Sequence, residues 1–276
     1  VAEQFGPGVD SIHRAITEAT RSQRPARTDG SDDHDTLALV TSELSDIDIG
    51  FNVSSDTPPG RDPDSHSPTL REYHRLLWSK PLPDGTPFTL MPSGRAHYLL
   101  HESTKGRFSL SSDAINNQHR GLLSDVYGSR AQQVNDDFCR ATMTVGGYIL
   151  FPGERLNRKP TINQHRGMHP RIRDRFDLTL ECIRRHYTGE HSPLSETLAR
   201  YVHFFALFES FTGYVEHFLL HALVDGSGQV RFFRPFDGFN PNPLPTERED
   251  YNAYLDRQRE FVTTRNAHIA AFIRSR

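Results

Sequence analysis

The stretch from Thr144 to Tyr187 constrains the fold more than any other. Its apolar run, Gly147-Tyr148-Ile149-Leu150-Phe151, is stopped by Pro152-Gly153 and reads as a short strand. A basic loop follows, from Glu154 to His169. Pro170 then opens a helix expected over Arg171 to Tyr187, because Phe176, Leu180, Ile183 and Tyr187 recur at spacings of four, three and four. Glu181 precedes Arg185 by one turn, and Gly189 suits the stop. Arg171, Arg173 and Arg175 crowd the entrance of that helix, where the backbone dipole already disfavours cations. Negative charge is therefore expected beside them. Asp174 and Asp177 can supply it, and so can a bound phosphate. On the second reading the ligand-binding residues are Asn163, His165, Arg166, Arg171 and Arg175, with Gly167 allowing close backbone approach. On the first, the arginines pair with local carboxylates or with the acidic segment 29–64.

That acidic segment makes the charge uneven. Residues 29–64 carry ten acids against Arg61 alone, whereas residues 154–175 carry seven bases against Glu154 and Asp174. The net charge of −3 argues against a generally basic nucleic-acid binder. Cys139 and Cys182 form neither zinc spacing nor a redox motif, so reduced thiols and a cytoplasmic protein are expected. No apolar run approaches the ~20 residues that span a bilayer, and no signal-peptide pattern opens the chain, so no membrane partner is expected.

One domain with an N-terminal extension is expected. Residues 1–45 read as an N-terminal helix (9–21) and a flexible acidic linker (22–35), followed by a short helix at 36–44. Such an arm suits docking onto a second copy, a homo-oligomer. Residues 46–276 read as a single α+β domain, with a mixed or antiparallel sheet from the first half packed against a helical second half. Strands are expected at Ile47 to Phe51, Phe88 to Met91, His97 to His101, Arg107 to Ser111 and Val230 to Phe233. Helices are expected from Pro68 to about Ser79, over Gln132 to Arg140, through the apolar tract Leu194 to Val224 with a break at Gly213, and over Asp250 to Ile273.

Other constellations admit a chemical and a structural reading. Asp62, Asp64 and His66 alternate as metal ligands can, but Asp64 and Ser67 also suit helix capping. His217 and His221 have the i, i+4 spacing of zinc ligands without the metalloprotease order, and read more simply as helix histidines. No metal site is therefore assigned. His97 and His101 share a strand face, and Ser111, Ser112 and Asp113 at a neighbouring strand end would complete a Ser/His/Asp pocket with them, although no nucleophile elbow is present. Arg265 to His268 reads as a solvated helix face. The basic loop matches neither the P-loop nor the dinucleotide glycine pattern, so no cofactor is specified.

Three strings carry a resemblance: Arg61-Asp62-Pro63-Asp64-Ser65-His66-Ser67-Pro68-Thr69-Leu70, Leu77-Trp78-Ser79-Lys80-Pro81-Leu82-Pro83, and Asp174 through Tyr187. With them the chain resembles a bacterial family of unknown function over roughly residues 46–270. The resemblance implies a bacterial, soluble, intracellular protein and transfers no catalytic residue. The leading functional expectation is thus an enzyme binding a phosphate-bearing small molecule or nucleotide through the basic strand-loop-helix. The alternatives are a nucleic-acid-binding or nuclease-like toxin or defence protein, and a non-catalytic assembly protein.

Overall fold

The computed structural model describes residues 44–94 and 97–276. The helices expected at 9–21 and 36–44, apart from Leu44, and the linker at 22–35 lie outside the described residues.

A short helix, α1 (Pro63–His66), leads into α2 (Pro68–Trp78). Ser67 caps α2 by accepting from the Leu70 N–H at 3.0 Å, with Pro68 in the first turn where its missing N–H costs nothing. Asp56, not Asp64, completes the cap: it accepts from Ser67 Oγ at 2.6 Å and from the Thr69 N–H at 2.9 Å. A minimal ladder of β1 (Lys80–Pro81) and β2 (Pro87–Phe88) follows. Then β3 (Met91–Pro92), β4 (Tyr98–Ser103), β5 (Gly106–Ala114) and β6 (Tyr148–Pro152) form one antiparallel sheet in that order. Helices α3 (Arg120–Tyr127) and α4 (Ala131–Thr142) bridge β5 to β6. Tyr98 lies opposite Ser111, and Ser111 opposite Phe151.

The second half is helical: α5 (Ile162–Met168), α6 (Phe176–Thr188), α7 (Ser195–Arg200), α8 (Val202–Ala206), α9 (Phe211–His217) and the long α10 (Arg248–Arg274). The architecture is α+β, with antiparallel strands early and helices late. Trp78, Phe204, Phe205, Phe208, Tyr214 and Phe218 are buried around one aromatic centre, with Trp78 and Phe218 ring centroids 5.5 Å apart. Arg265 of α10 is fully buried there. It donates to the carbonyls of Phe218 (2.9 Å), Gly146 (3.0 Å) and Tyr148 (2.6 Å), fastening α10 to the start of β6. The solvated face expected at Arg265 is thus an interior tie.

Five expectations change. Phe88 to Met91 is not one strand: Phe88 ends β2 and Met91 opens β3, and the two belong to different sheets. The helix at 171–187 begins at Phe176. Residues 171–175 form a turn in which Arg173 and Asp174 take φ of 47° and 61°, because the Asp174 N–H is captured by the Arg166 carbonyl at 3.0 Å. Arg171 and Arg173 therefore stand outside the helix, and only Arg175 sits at its mouth. Ile47 to Phe51 alternates but turns, since Asp48 accepts from Gly50 through its side chain and from Phe51 through its carbonyl. Val230 to Phe233 makes only the bridge Val224–Val230. The apolar tract breaks at Tyr201 and before Ser210, not at Gly213, which lies within α9 where a Cβ would meet the Phe208 carbonyl.

Candidate functional site

All of β6 is buried, and the chain leaves it at Gly153. The Gly153 N–H bonds to the Ser109 carbonyl at 2.8 Å, holding the exit against β5. A Cβ at 153 would collide with the Tyr98 ring, so glycine is required by this close approach. The loop that follows is pinned from α7 and its flank: Tyr201 Oη donates to the Glu154 carbonyl and Arg200 Nη2 to that of Pro160, both at 2.7 Å. Within the segment expected as loop lies α5, started by a capping box in which Thr161 and Gln164 exchange side-chain and backbone bonds. That Thr-x-x-Gln signal was present in the sequence.

The structure divides the five expected ligand residues among three places. Arg166 and Arg175 are interior. Arg166 donates through all three nitrogens: to Thr179 Oγ1 at 3.2 Å, to the Asp113 carboxylate, to the Ala114 carbonyl at 3.2 Å and to the Asp174 carbonyl at 3.0 Å. Its Nη1 also lies 3.0 Å from the Asp174 carboxylate. Arg175 forks onto Asp177 and donates to the Pro243 carbonyl at 2.6 Å; Asp177 also takes the Phe233 N–H at 2.8 Å. These two guanidiniums are matched by the protein's own oxygens, and the acids are local or from β5.

His165 and Arg171 line a recess of about 370 Å³ with His169, His191 and Glu196. The Arg171 backbone N–H bonds to His169 Nδ1 at 3.2 Å, so that neutral ring carries its proton on Nε2. Burial, with the Arg200 charge, pushes His165 below the ordinary histidine range; burial, His165 and Arg171 do the same to His169.

Asn163 lines the larger opening, a polar cleft of about 620 Å³. Gly153, Glu154, Arg155, Thr161, Asn163 and Gln164 form one wall, all from the segment after β6; Ser65, Tyr98, Ser111 and Ser112 form the other. Arg155 Nε donates to Gln164 Oε1 at 3.0 Å, while its two terminal nitrogens and the Asn163 amide meet no acceptor among the described residues. Directly behind Ser112, burial aided by Asp174 and Asp64 holds the Asp113 carboxyl up at about 7, against the pull of Arg166.

Ser112 has a histidine partner that sequence reading did not find. His74 of α2 places Nε2 at 3.0 Å from Ser112 Oγ, and its Nδ1 accepts from Trp78 Nε1 at 2.7 Å. The i, i+4 spacing of His74 and Trp78 was the available signal. The two histidines considered for this role are elsewhere. His101 is stacked on Phe88 at 4.3 Å and bonded to the Thr89 carbonyl and Ser103; the His97 ring lies tilted against His66, centroids 4.2 Å apart. His217 is buried among Phe88, Phe208 and Phe218. Among the described residues no group of three metal-ligating side chains converges, and no helix is long and apolar enough to cross a membrane.

No curated protein and no solved structure matches the chain. A profile of the family of unknown function DUF6994 matches residues 47–269, nearly the span of roughly 46–270 expected for the resemblance, and the chain belongs to that family.

Proposed function

We propose that this protein binds a small phosphate-bearing molecule, of the nucleotide or sugar-phosphate class, in the cleft between β4–β5 and the segment after β6. The lining supports this reading: Arg155, whose two terminal nitrogens meet no acceptor among the described residues, shares one wall with the amides of Asn163 and Gln164, opposite Ser65, Tyr98, Ser111 and Ser112. A guanidinium fork suits phosphate oxygens, and hydroxyls and amides suit the ring and hydroxyls of a sugar or base. The cationic segment thus contributes Arg155 and Asn163 directly, while Arg166 holds the wall from behind. The test is thermal-shift titration with AMP, ribose 5-phosphate and inorganic phosphate. Stabilisation is expected, weakened about tenfold or more in apparent affinity by Arg155→Gln, as for loss of a charged hydrogen bond. Stabilisation abolished by Arg171→Gln and untouched by Arg155→Gln assigns the ligand to the smaller recess. No shift with any of the three removes the reading.

A second reading, contact with a nucleic acid, rests on the exposed Arg155, Arg158 and Lys159, which have no carboxylate partner among the described residues. It requires binding to single-stranded RNA or DNA that weakens steeply as salt rises.

A further inference from the structure

The polarity of the Ser112–His74–Trp78 chain follows from which of its members can only donate. The Trp78 indole has a hydrogen to give and no lone pair to receive one. It lies 2.7 Å from His74 Nδ1, so that nitrogen is unprotonated. His74 is fully buried with the Arg265 guanidinium near, and both keep the ring neutral. A neutral ring with a bare Nδ1 carries its proton on Nε2. That proton points at Ser112 Oγ, 3.0 Å away, so the serine oxygen accepts. The Ser112 hydrogen has no acceptor among the described residues, and Ser112 is one of the residues that line the cleft.

We infer that Ser112 is an obligate hydrogen-bond donor into the cleft, oriented by Trp78 through His74, and that the ligand sets an acceptor oxygen against it. This rests on the proposed reading of the cleft and adds one requirement to it. A phosphoryl, carboxylate or carbonyl oxygen satisfies Ser112; a ligand N–H does not. The pair also runs opposite to a nucleophilic serine–histidine dyad, in which the histidine takes the serine proton. Here the nitrogen facing the serine is already protonated. Ser112 therefore serves for recognition and His74 for positioning.

The inference has a readout that needs no ligand. Long-range proton–nitrogen correlation spectra of histidine-labelled full-length protein, assigned by the signal lost in His74→Gln, should show the Nε2–H tautomer unchanged from pH 5 to 8. A ring protonated on Nδ1, or one titrating near 6.5, overturns it. In Trp78→Phe the restraint is gone, and the ring is expected to admit the Nδ1–H tautomer; an unchanged spectrum there overturns the role given to Trp78. Affinity for AMP, measured calorimetrically, should fall about tenfold or more in Ser112→Ala and much less in Ser112→Thr. If Arg155→Gln weakens AMP binding and Ser112→Ala leaves it intact, the cleft reading survives and this inference fails. If AMP, ribose 5-phosphate and phosphate all fail to bind wild type, the cleft reading and the ligand requirement fall together. A fluorophosphonate probe should leave Ser112 unmodified; an adduct on Ser112 that disappears in His74→Gln identifies a nucleophile and overturns the donor assignment.

Discussion

Arg166 of α5 donates from Nη1 to the carboxylate of Asp113 on β5, and the arginine side chain has no solvent exposure. The pair joins the segment after β6 to the sheet, and it explains why a cation in the most basic stretch of the chain is not offered to a ligand. Removing the guanidinium strips Asp113 of its partner and leaves Thr179 Oγ1 and the Ala114 and Asp174 carbonyls without that donor in the interior. Arg166→Met is expected to destabilise the protein by about 3–5 kcal/mol. Arg166→Lys should not restore it, because one ammonium cannot reach Thr179, Asp113 and two carbonyls in a planar fork. Urea unfolding followed by circular dichroism measures both; a loss under 1 kcal/mol for the methionine variant contradicts this account.

Acid should weaken the fold before the carboxylates titrate. Burial pushes His74 down to about 3, His119 to about 4, His186 to about 4, and His217 well below the ordinary range. Above pH 6.5 these groups are neutral whether the chain is folded or not. Below it the unfolded chain takes up protons that the native interior refuses, so stability is lost as pH falls from 6.5 towards 4. Asp113 works in the opposite sense: its raised value favours the native state below about 4 and is lost as pH rises through 7. The four histidines outweigh Asp113 and Asp64, the two carboxyls that burial raises. The urea midpoint is expected to drop between pH 7 and pH 5, by roughly several kcal/mol in stability. A midpoint flat across that range contradicts the neutral interior histidines.

Gly153 and Tyr98 should couple. Gly153→Ala forces its methyl into the Tyr98 ring and is expected to cost about 1–3 kcal/mol. Tyr98 also lines the cleft, so displacing its ring should weaken AMP binding as well. In a Tyr98→Ala background the same substitution should cost much less. A double-mutant cycle reads the difference; strict additivity would show that the two positions do not press on each other.

Arg265 holds its place with no carboxylate partner among the described residues. Burial pushes its guanidinium down to about 9, and its partners are the carbonyls of Phe218, Gly146 and Tyr148. Arg265→Leu leaves those carbonyls without their donors inside the aromatic core. A loss of about 2–5 kcal/mol is expected in thermal or urea unfolding, with amide exchange at β6 rising first. Wild-type stability for this variant would refute the tie between α10 and the sheet.

Local structure was largely legible because it depends on neighbours in sequence. The Ser67-Pro68 start, the apolar spacing after Phe176, the buried run of β6 and the long final helix each follow from capping chemistry or periodicity, and together they determine the α+β class. Alternation misled at Ile47 to Phe51, where a side-chain bond from Asp48 within the turn wins over strand pairing. The destination of each charge lay beyond such signals. Asp113 is 53 residues from Arg166, and His74 is 38 from Ser112. Spacing along the chain says nothing about those meetings. Desolvation and hydrogen bonding act on whatever the packed sheet and helices bring together. The sequence by itself determined that cations cluster after β6; only tertiary structure decided that Arg166 and Arg175 face inward while Arg155 and Asn163 face a cleft.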